Sequence, residues 1–392
     1  MDIKPAKRIA SIEPYFFASL NHRLTELKAN GMDIIRLDMG SPDLPPTDLI
    51  IETLVTEARR IDTHGYTPNG GTTAYRKAIA SYYENRFEVD LDPEKEVIGL
   101  IGSKEGLFNL SQVLLNPGDI VFVPDPSYPV YQASGIIAGA EVYPLPLLAE
   151  NDYLPDLDAI PEEIAQRGKL LWLNYPNNPT GAIAPMRFLE KAVIYAQRYG
   201  WIIAHDAPYT DICFDGFIAP SILQIPGAKE VAVEFNSLSK IYNMAGWRLG
   251  MAVGNPQIIS YLNTYKSQMD SSQFGPVLAA GVKALTSDQS WIKARNQIYK
   301  ERRDIVIDSL KKGNFKANCP MAAIYVWVDL PDGENDSVEY CLRILNETGV
   351  STTPGVVYGK YVEGHFRISL GIATDKLSEA MRRILEWSKY KK

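Results

Sequence analysis

The chain has 392 residues, 46% apolar and 22% charged, proportions that exclude global disorder and allow a sizeable core. Lys and Arg total 40 against 47 Asp and Glu, a net charge of −7, which argues against a nucleic-acid binder relying on clustered positive charge. No apolar run approaches the roughly 18 residues that span a bilayer, and no apolar block of signal length follows Met1–Arg8. A cytoplasmic protein is expected, built as two domains or as one large domain with an extension. Cys213, Cys319 and Cys341 are scattered, as are His22, His64, His205 and His365; the sequence therefore suggests a reducing compartment and no metal site.

From about residue 45 to 285, helical segments alternate with short, intensely apolar runs: 97–101, 120–123, 170–173, 201–204, 231–233 and 251–253. Such runs predict an α/β unit whose mostly parallel sheet is covered on both faces. Ligands of these sheets collect beyond the carboxyl ends of the strands, where Ser103, Asp125, Asn174, Asp206 and Ser237 stand. After about residue 285 the pattern predicts a long helix (291–312), a strand (322–330), a helix (338–347), a strand (365–370) and a final helix (376–389). The expected division is a large domain over 45–285 and a smaller α+β domain over 1–44 and 286–392.

Six segments have the composition of a site. In Glu234–Gly250 a lysine, Lys240, follows an apolar run and is flanked by Ser237 and Ser239, with Arg248 beyond. Partial loss of hydration lowers the pKa of such an amine and favours imine formation with an aldehyde. Ser237, Ser239 and Arg248 suit a phosphate; a solvated turn lysine and a surface arginine are the plainer alternative. Ile101–Phe108 places Ser103 at the start of a helix, where exposed amides form an anion site or only an ordinary cap. Asn177-Asn178-Pro179-Thr180-Gly181 ends one strand and His205-Asp206-Ala207-Pro208-Tyr209 another. A carboxylate at a buried strand end calls for a cation, and Asp206 suits a pyridinium nitrogen, with Asn178 and Tyr209 near the ring hydroxyl; a turn and a strand-end cap are the alternative. Tyr128, held between prolines, suits stacking on a planar cofactor. Arg367, alone in the apolar strand Phe366–Leu370, suits either a substrate carboxylate or a structural salt bridge.

In this order and combination the segments resemble the class I/II aminotransferases, pyridoxal 5'-phosphate (PLP) enzymes of the aspartate aminotransferase fold. The resemblance runs from Leu37-Asp38-Met39-Gly40-Ser41-Pro42-Asp43 to Arg367. It implies fold type I of the PLP-dependent transferases and a ping-pong transfer of an amino group between an L-amino acid and a 2-oxoacid. It further implies Lys240 as the Schiff-base lysine and proton shuttle, Asp206 as the pyridinium partner, and Asn178 with Tyr209 as ligands of the ring hydroxyl. Tyr128 resembles the stacking residue, while Ser103, Lys104 (through its amide), Ser237, Ser239 and Arg248 resemble the phosphate cup. Arg367, assisted by Asn178 and the backbone of Gly40, is similar to the clamp on the substrate α-carboxylate. Tyr66 resembles the tyrosine that reaches the neighbouring subunit's phosphate, implying a homodimer.

Gly102–Leu107 and Lys266–Phe274 look most like the branch containing LL-diaminopimelate and alanine aminotransferases. Lys266 and Ser267 stand where aspartate aminotransferases tend to carry an arginine for the distal carboxylate, which leaves LL-diaminopimelate, alanine and aspartate as candidate donors, with 2-oxoglutarate as acceptor. Tyr15, in Glu13–Phe17, is either a substrate contact or a packed aromatic anchor. The same fold also supports carbon–sulfur β-elimination, and a non-catalytic PLP-binding regulator is a further alternative. A dinucleotide-binding oxidoreductase is disfavoured because no strand is followed by G-x-G-x-x-G.

Overall fold

All six apolar runs form strands in the computed structural model, which describes residues 3–12 and 16–389. Twelve strands occur among them: β1 (Ile35–Arg36), β2 (Val97–Ile101), β3 (Ile120–Asp125), β4 (Glu141–Pro146), β5 (Gly168–Asn174), β6 (Ile202–Asp206), β7 (Ala232–Ser237), β8 (Leu249–Gly254), β9 (Tyr325–Asp329), β10 (Val350–Ser351), β11 (Thr353–Pro354) and β12 (His365–Ser369). Strands β2 to β8 make one seven-stranded sheet in the order β2-β8-β7-β6-β5-β3-β4. Neighbours from β7 to β4 pair in parallel, whereas β8 runs antiparallel to both β7 and β2.

Period-two alternation feeds two apolar layers. Ile120, Phe122, Leu171 and Leu173 face one layer, and Val121, Val123, Leu170 and Trp172 face the other. With both faces covered, the carboxyl edge of the sheet is where polar side chains can gather. The reversed β8 begins at that edge: Leu249 lies opposite Ile101 and Gly250 opposite Ser237. Arg248 is thereby delivered beside the ends of β2 and β7.

Within the large sheet, one strand went unanticipated. Glu141–Pro146 lies at the sheet margin, paired only with β3, and contains Pro144 and Pro146. An edge strand tolerates proline because its outer amides need no partner, and its half-exposed face shows no continuous apolar run.

The remaining strands are short. β11, β12 and β9 form an antiparallel sheet, and β1 pairs in parallel with β10, joining the N-terminal segment to the C-terminal region. Their core gathers Ile35, Leu37, Ile324, Val326, Phe366 and Ile368, together with Tyr209, Ile212 and Phe214 from the loop after β6. The helix Ser290–Lys312 bridges these cores: Trp291 and Ile292 pack on the large sheet's layer, while Tyr299, Val306 and Leu310 belong to the second core. Among the described residues, no helix is long and apolar enough to cross a membrane.

Candidate active site

A cavity of about 400 Å³ opens at the carboxyl edge of the large sheet, closed on the far side by Arg367 of β12 and Tyr325 of β9. Lys240, Asp206, Tyr209, Asn178, Ser103, Lys104, Tyr128, Ser237, Ser239, Arg248, Arg367 and Gly40 all line it. Residues distant in sequence meet there, those of the large sheet because its parallel strands end at the same edge.

Lys240 lies in the four-residue helix Leu238–Ile241 that follows β7, capped by Ser237, whose hydroxyl accepts from the Ser239 amide at 3.2 Å. Its ammonium donates to the Gly40 carbonyl. Burial draws the Lys240 amine down to about 8, helped by the positive charges of Arg367 and Arg248 and opposed by Asp206. Gly40 comes so close to Tyr325 that a Cβ there would run into its hydroxyl; only glycine lets this carbonyl reach the amine.

Asp206 ends β6 and is only 4% exposed. Its Oδ2 accepts from the Tyr131 hydroxyl at 2.6 Å, but its Oδ1 is buried without a hydrogen-bond partner among the described residues. Burial raises the Asp206 carboxyl to about 6, against the lowering influence of Tyr131, His205 and Lys240. A buried carboxylate oxygen with no donor is costly, and a cationic N–H facing it would relieve that cost.

Arg367 is buried in an anion-accepting posture. Nη1 donates to Asn178 Oδ1 and Nη2 to the Asp38 carbonyl, each at 2.7 Å, while Nε has no partner. The guanidinium lies 4.2 Å from the Tyr325 ring centroid and 5.0 Å from that of Tyr358. The Asp38 carboxylate is engaged by Arg36 instead. Asn178 is held in turn, its amide donating to Asn174 Oδ1 at 2.9 Å, and Tyr209 shares a 2.7 Å hydrogen bond with the Tyr325 hydroxyl.

The opposite end of the cavity is cationic. Lys104 and Arg248 lie near enough that Arg248, after burial, lowers the Lys104 amine. Arg248 is anchored by Nη1 to the Ala245 carbonyl at 2.8 Å. Gly102 adopts φ 71°, and a Cβ there would strike the Arg248 guanidinium. The helix Ser103–Leu114 starts directly afterwards, so its N-terminal amides, two serines and Arg248 surround a space suited to a phosphate dianion. A pyridine ring with a phosphate arm thus finds an acceptor for its N–H, a cationic cup for its phosphate and an amine for its aldehyde.

One anticipated residue among those described does not line the cavity. Tyr66 is 96% exposed and does not line it, and Tyr15 lies outside the described residues. Lys266 does not line it either: 1% exposed, it pairs with Glu105 at 3.0 Å and Asp270 at 2.8 Å. Sequence reasoning missed Tyr131, Tyr325, Tyr358, Arg36 and Asp38. Tyr131 lies in the helix Val130–Ala138, where a tyrosine looks ordinary; Tyr325 of β9 and Tyr358 of the 310 turn Gly355–Tyr358 carry no local signal either.

The sequence family described as aminotransferase class I and II matches residues 32–384. The chain belongs to that family. It is 45% identical over 382 residues to an LL-diaminopimelate aminotransferase of Moorella thermoacetica, covering 97% of this chain and 98% of that protein. A second protein so named, from Maridesulfovibrio salexigens, is 47% identical over 98% of this chain and 99% of its own. The substrate-bound BacF structure from Bacillus subtilis superposes with a TM-score of 0.95 at 36% identity, covering 99% of this chain and 98% of that one. This aminotransferase is a PLP-dependent enzyme that moves an amino group between an L-amino acid and a 2-oxoacid, on the α/β fold expected of it.

Proposed function

We propose that the cavity is the aminotransferase active site and that LL-diaminopimelate is the amino donor, with 2-oxoglutarate as acceptor. The observation that carries the site reading is the partnerless Asp206 Oδ1 in the same cavity as the softened Lys240 amine. The names and full-length similarity of the two relatives support the donor, and Lys266, consumed by Glu105 and Asp270, is unavailable as a distal-carboxylate clamp.

In this reading Asp206 holds the pyridine nitrogen, Asn178 and Tyr209 the ring hydroxyl, and Tyr128 the ring face. Ser103, Lys104 (through its amide), Ser237, Ser239 and Arg248 hold the phosphate. When bound, PLP supplies an electron sink for charge developing at the substrate α-carbon. Arg367 takes the α-carboxylate in a charge-assisted fork, which fixes the donor while Asn178 keeps the fork in plane. Lys240 Nζ accepts the α-proton and delivers it again, a role suited to an amine whose proton affinity is drawn toward neutrality. Asp206 keeps positive charge on the nitrogen facing it, and Tyr131 keeps that carboxylate aimed.

The large domain spans 45–285 and the small one 1–44 with 286–392 in this reading; the separate apolar cores of the two sheets support it. Tyr66, exposed here, acts in the site of a second copy, which makes the enzyme a homodimer. The three cysteines, all free, support a cytoplasmic location.

A panel of L-amino donors against 2-oxoglutarate and pyruvate tests the assignment. Acceptor-dependent consumption of LL-diaminopimelate, with alanine and aspartate much slower, is expected. Pyruvate and ammonia released from sulfur amino acids without an acceptor would instead establish β-elimination.

A further inference from the structure

Arg295 is buried beneath the active site without a carboxylate to neutralise it. It is 3% exposed, and no ion pair involves it among the described residues. Burying a guanidinium in this way is costly unless its donors are fully engaged. The Arg295 donors are engaged, and the acceptors are informative. Nη1 donates to the backbone carbonyl of Lys240 at 3.0 Å and to that of Ile241. Nη2 donates to the Asp211 carbonyl at 2.8 Å. Nη2 and Nε both reach Asn296 Oδ1, at 2.8 and 3.1 Å, and Asn296 Nδ2 returns to the Asp211 carbonyl at 2.8 Å.

These carbonyls belong to the two segments that present the reacting groups. Lys240 and Ile241 end a helix of only four residues, whose last carbonyls have no partner within it. A cation there both satisfies them and suits the negative end of the helix. Asp211 lies in the loop that leaves β6 at Asp206 and carries Tyr209, and its side chain is fastened separately by Arg86 at 2.7 Å. Arg295 itself comes from the first turns of Ser290–Lys312, the helix that packs on both apolar cores.

We propose that Arg295, oriented by Asn296, is a positioning residue for transamination: it locks the turn bearing Lys240 to the loop that follows Asp206 at the end of β6, and so sets where the amine stands relative to the acid. The inference rests on Lys240 being the amine that carries the cofactor. Arg295 touches neither substrate nor cofactor; it acts through the backbone of Lys240. Displacing a reacting group by about 1 Å is enough to cost about 100-fold in rate, and a backbone tether at the lysine itself is where such a displacement would arise.

The test uses the PLP-loaded enzyme and the variants Arg295→Met, Arg295→Lys and Asn296→Ala. The visible absorbance of the cofactor is titrated against pH, alongside kcat, KM and thermal unfolding. For Arg295→Met, kcat should fall about tenfold or more with KM within about twofold, and the absorbance titration should move by about half a pH unit or more. Arg295→Lys should recover part of both changes, and Asn296→Ala should shift both in the same direction by less. A merely structural role would lower the unfolding temperature and leave titration and kcat in place; that result in folded Arg295→Met overturns the proposal. Should Arg295→Met fail to fold, Asn296→Ala decides, and an unchanged titration and kcat overturn it. Failure of the underlying reading looks different, since wild-type enzyme would then show no visible band that borohydride abolishes.

Discussion

Asp206 and Lys240 share one cavity, with proton affinities drawn together to about 6 and about 8. Because the amine becomes neutral above about 8, apoenzyme should capture PLP faster as pH rises through that value. Stopped-flow absorbance against pH checks this; a rate that climbs only near the ordinary lysine range would contradict it. The acid has the opposite stability consequence. Its folded pKa lies above the unfolded value, so between pH 3.8 and about 6 the folded apoprotein binds more protons than the unfolded chain. Stability contributed by this group is therefore present at low pH and lost as pH rises through about 6, a deficit of up to about 3 kcal/mol above it. Asp206→Asn should raise the apoenzyme's unfolding temperature at pH 8 while lowering holoenzyme kcat at least about 100-fold; an apoenzyme left less stable would contradict the burial argument. Lys240, Asp206 and Arg367 were legible in the sequence because charge set in or beside an apolar run demands a partner. Tyr131 and Arg295 were not, since a tyrosine in a helix and an arginine in a basic helix look ordinary until their acceptors are in place.

At the scale of elements, one reversed strand decides the phosphate end of the site. β8 enters the sheet at the carboxyl edge, and Arg248, at φ 58°, turns the chain into it beside Gly102. Gly102→Ala forces alanine into an extended positive-φ conformation (φ 71°, ψ 153°) that costs about 1–3 kcal/mol, and pushes a methyl group against the Arg248 guanidinium. The dissociation constant for PLP should rise about tenfold or more; tight, unchanged binding would show that Arg248 is not held by this approach. The covered strands were readable from composition alone, because burial on both faces leaves continuous apolar runs. Their direction was not: β8 is as apolar as its parallel neighbours, and nothing local distinguishes a strand that returns. The proline-bearing edge strand β4 escaped for the complementary reason, having one neighbour and half of its surface in water.

For the whole molecule, pairing between distant segments lay beyond the sequence pattern. β1 and β10 are two residues each and meet across most of the chain, too short for any periodicity to show. Tyr66, exposed and outside the cavity, gives the proposed homodimer a distinctive consequence. Lys240→Ala and Tyr66→Ala chains, each impaired alone, should regain activity when mixed as hybrids, because one site then combines an intact Lys240 with the other chain's intact Tyr66. Hybrids no more active than the sum of the two parents would place Tyr66 outside the site of either copy. The covalent role of Lys240 underlies all of these expectations, and borohydride reduction of the PLP-loaded enzyme followed by peptide mapping tests it most directly. A stable pyridoxyl label confined to the peptide containing Lys240 is the predicted result; a label on Lys104 or another lysine, with Lys240 unmodified, would contradict it.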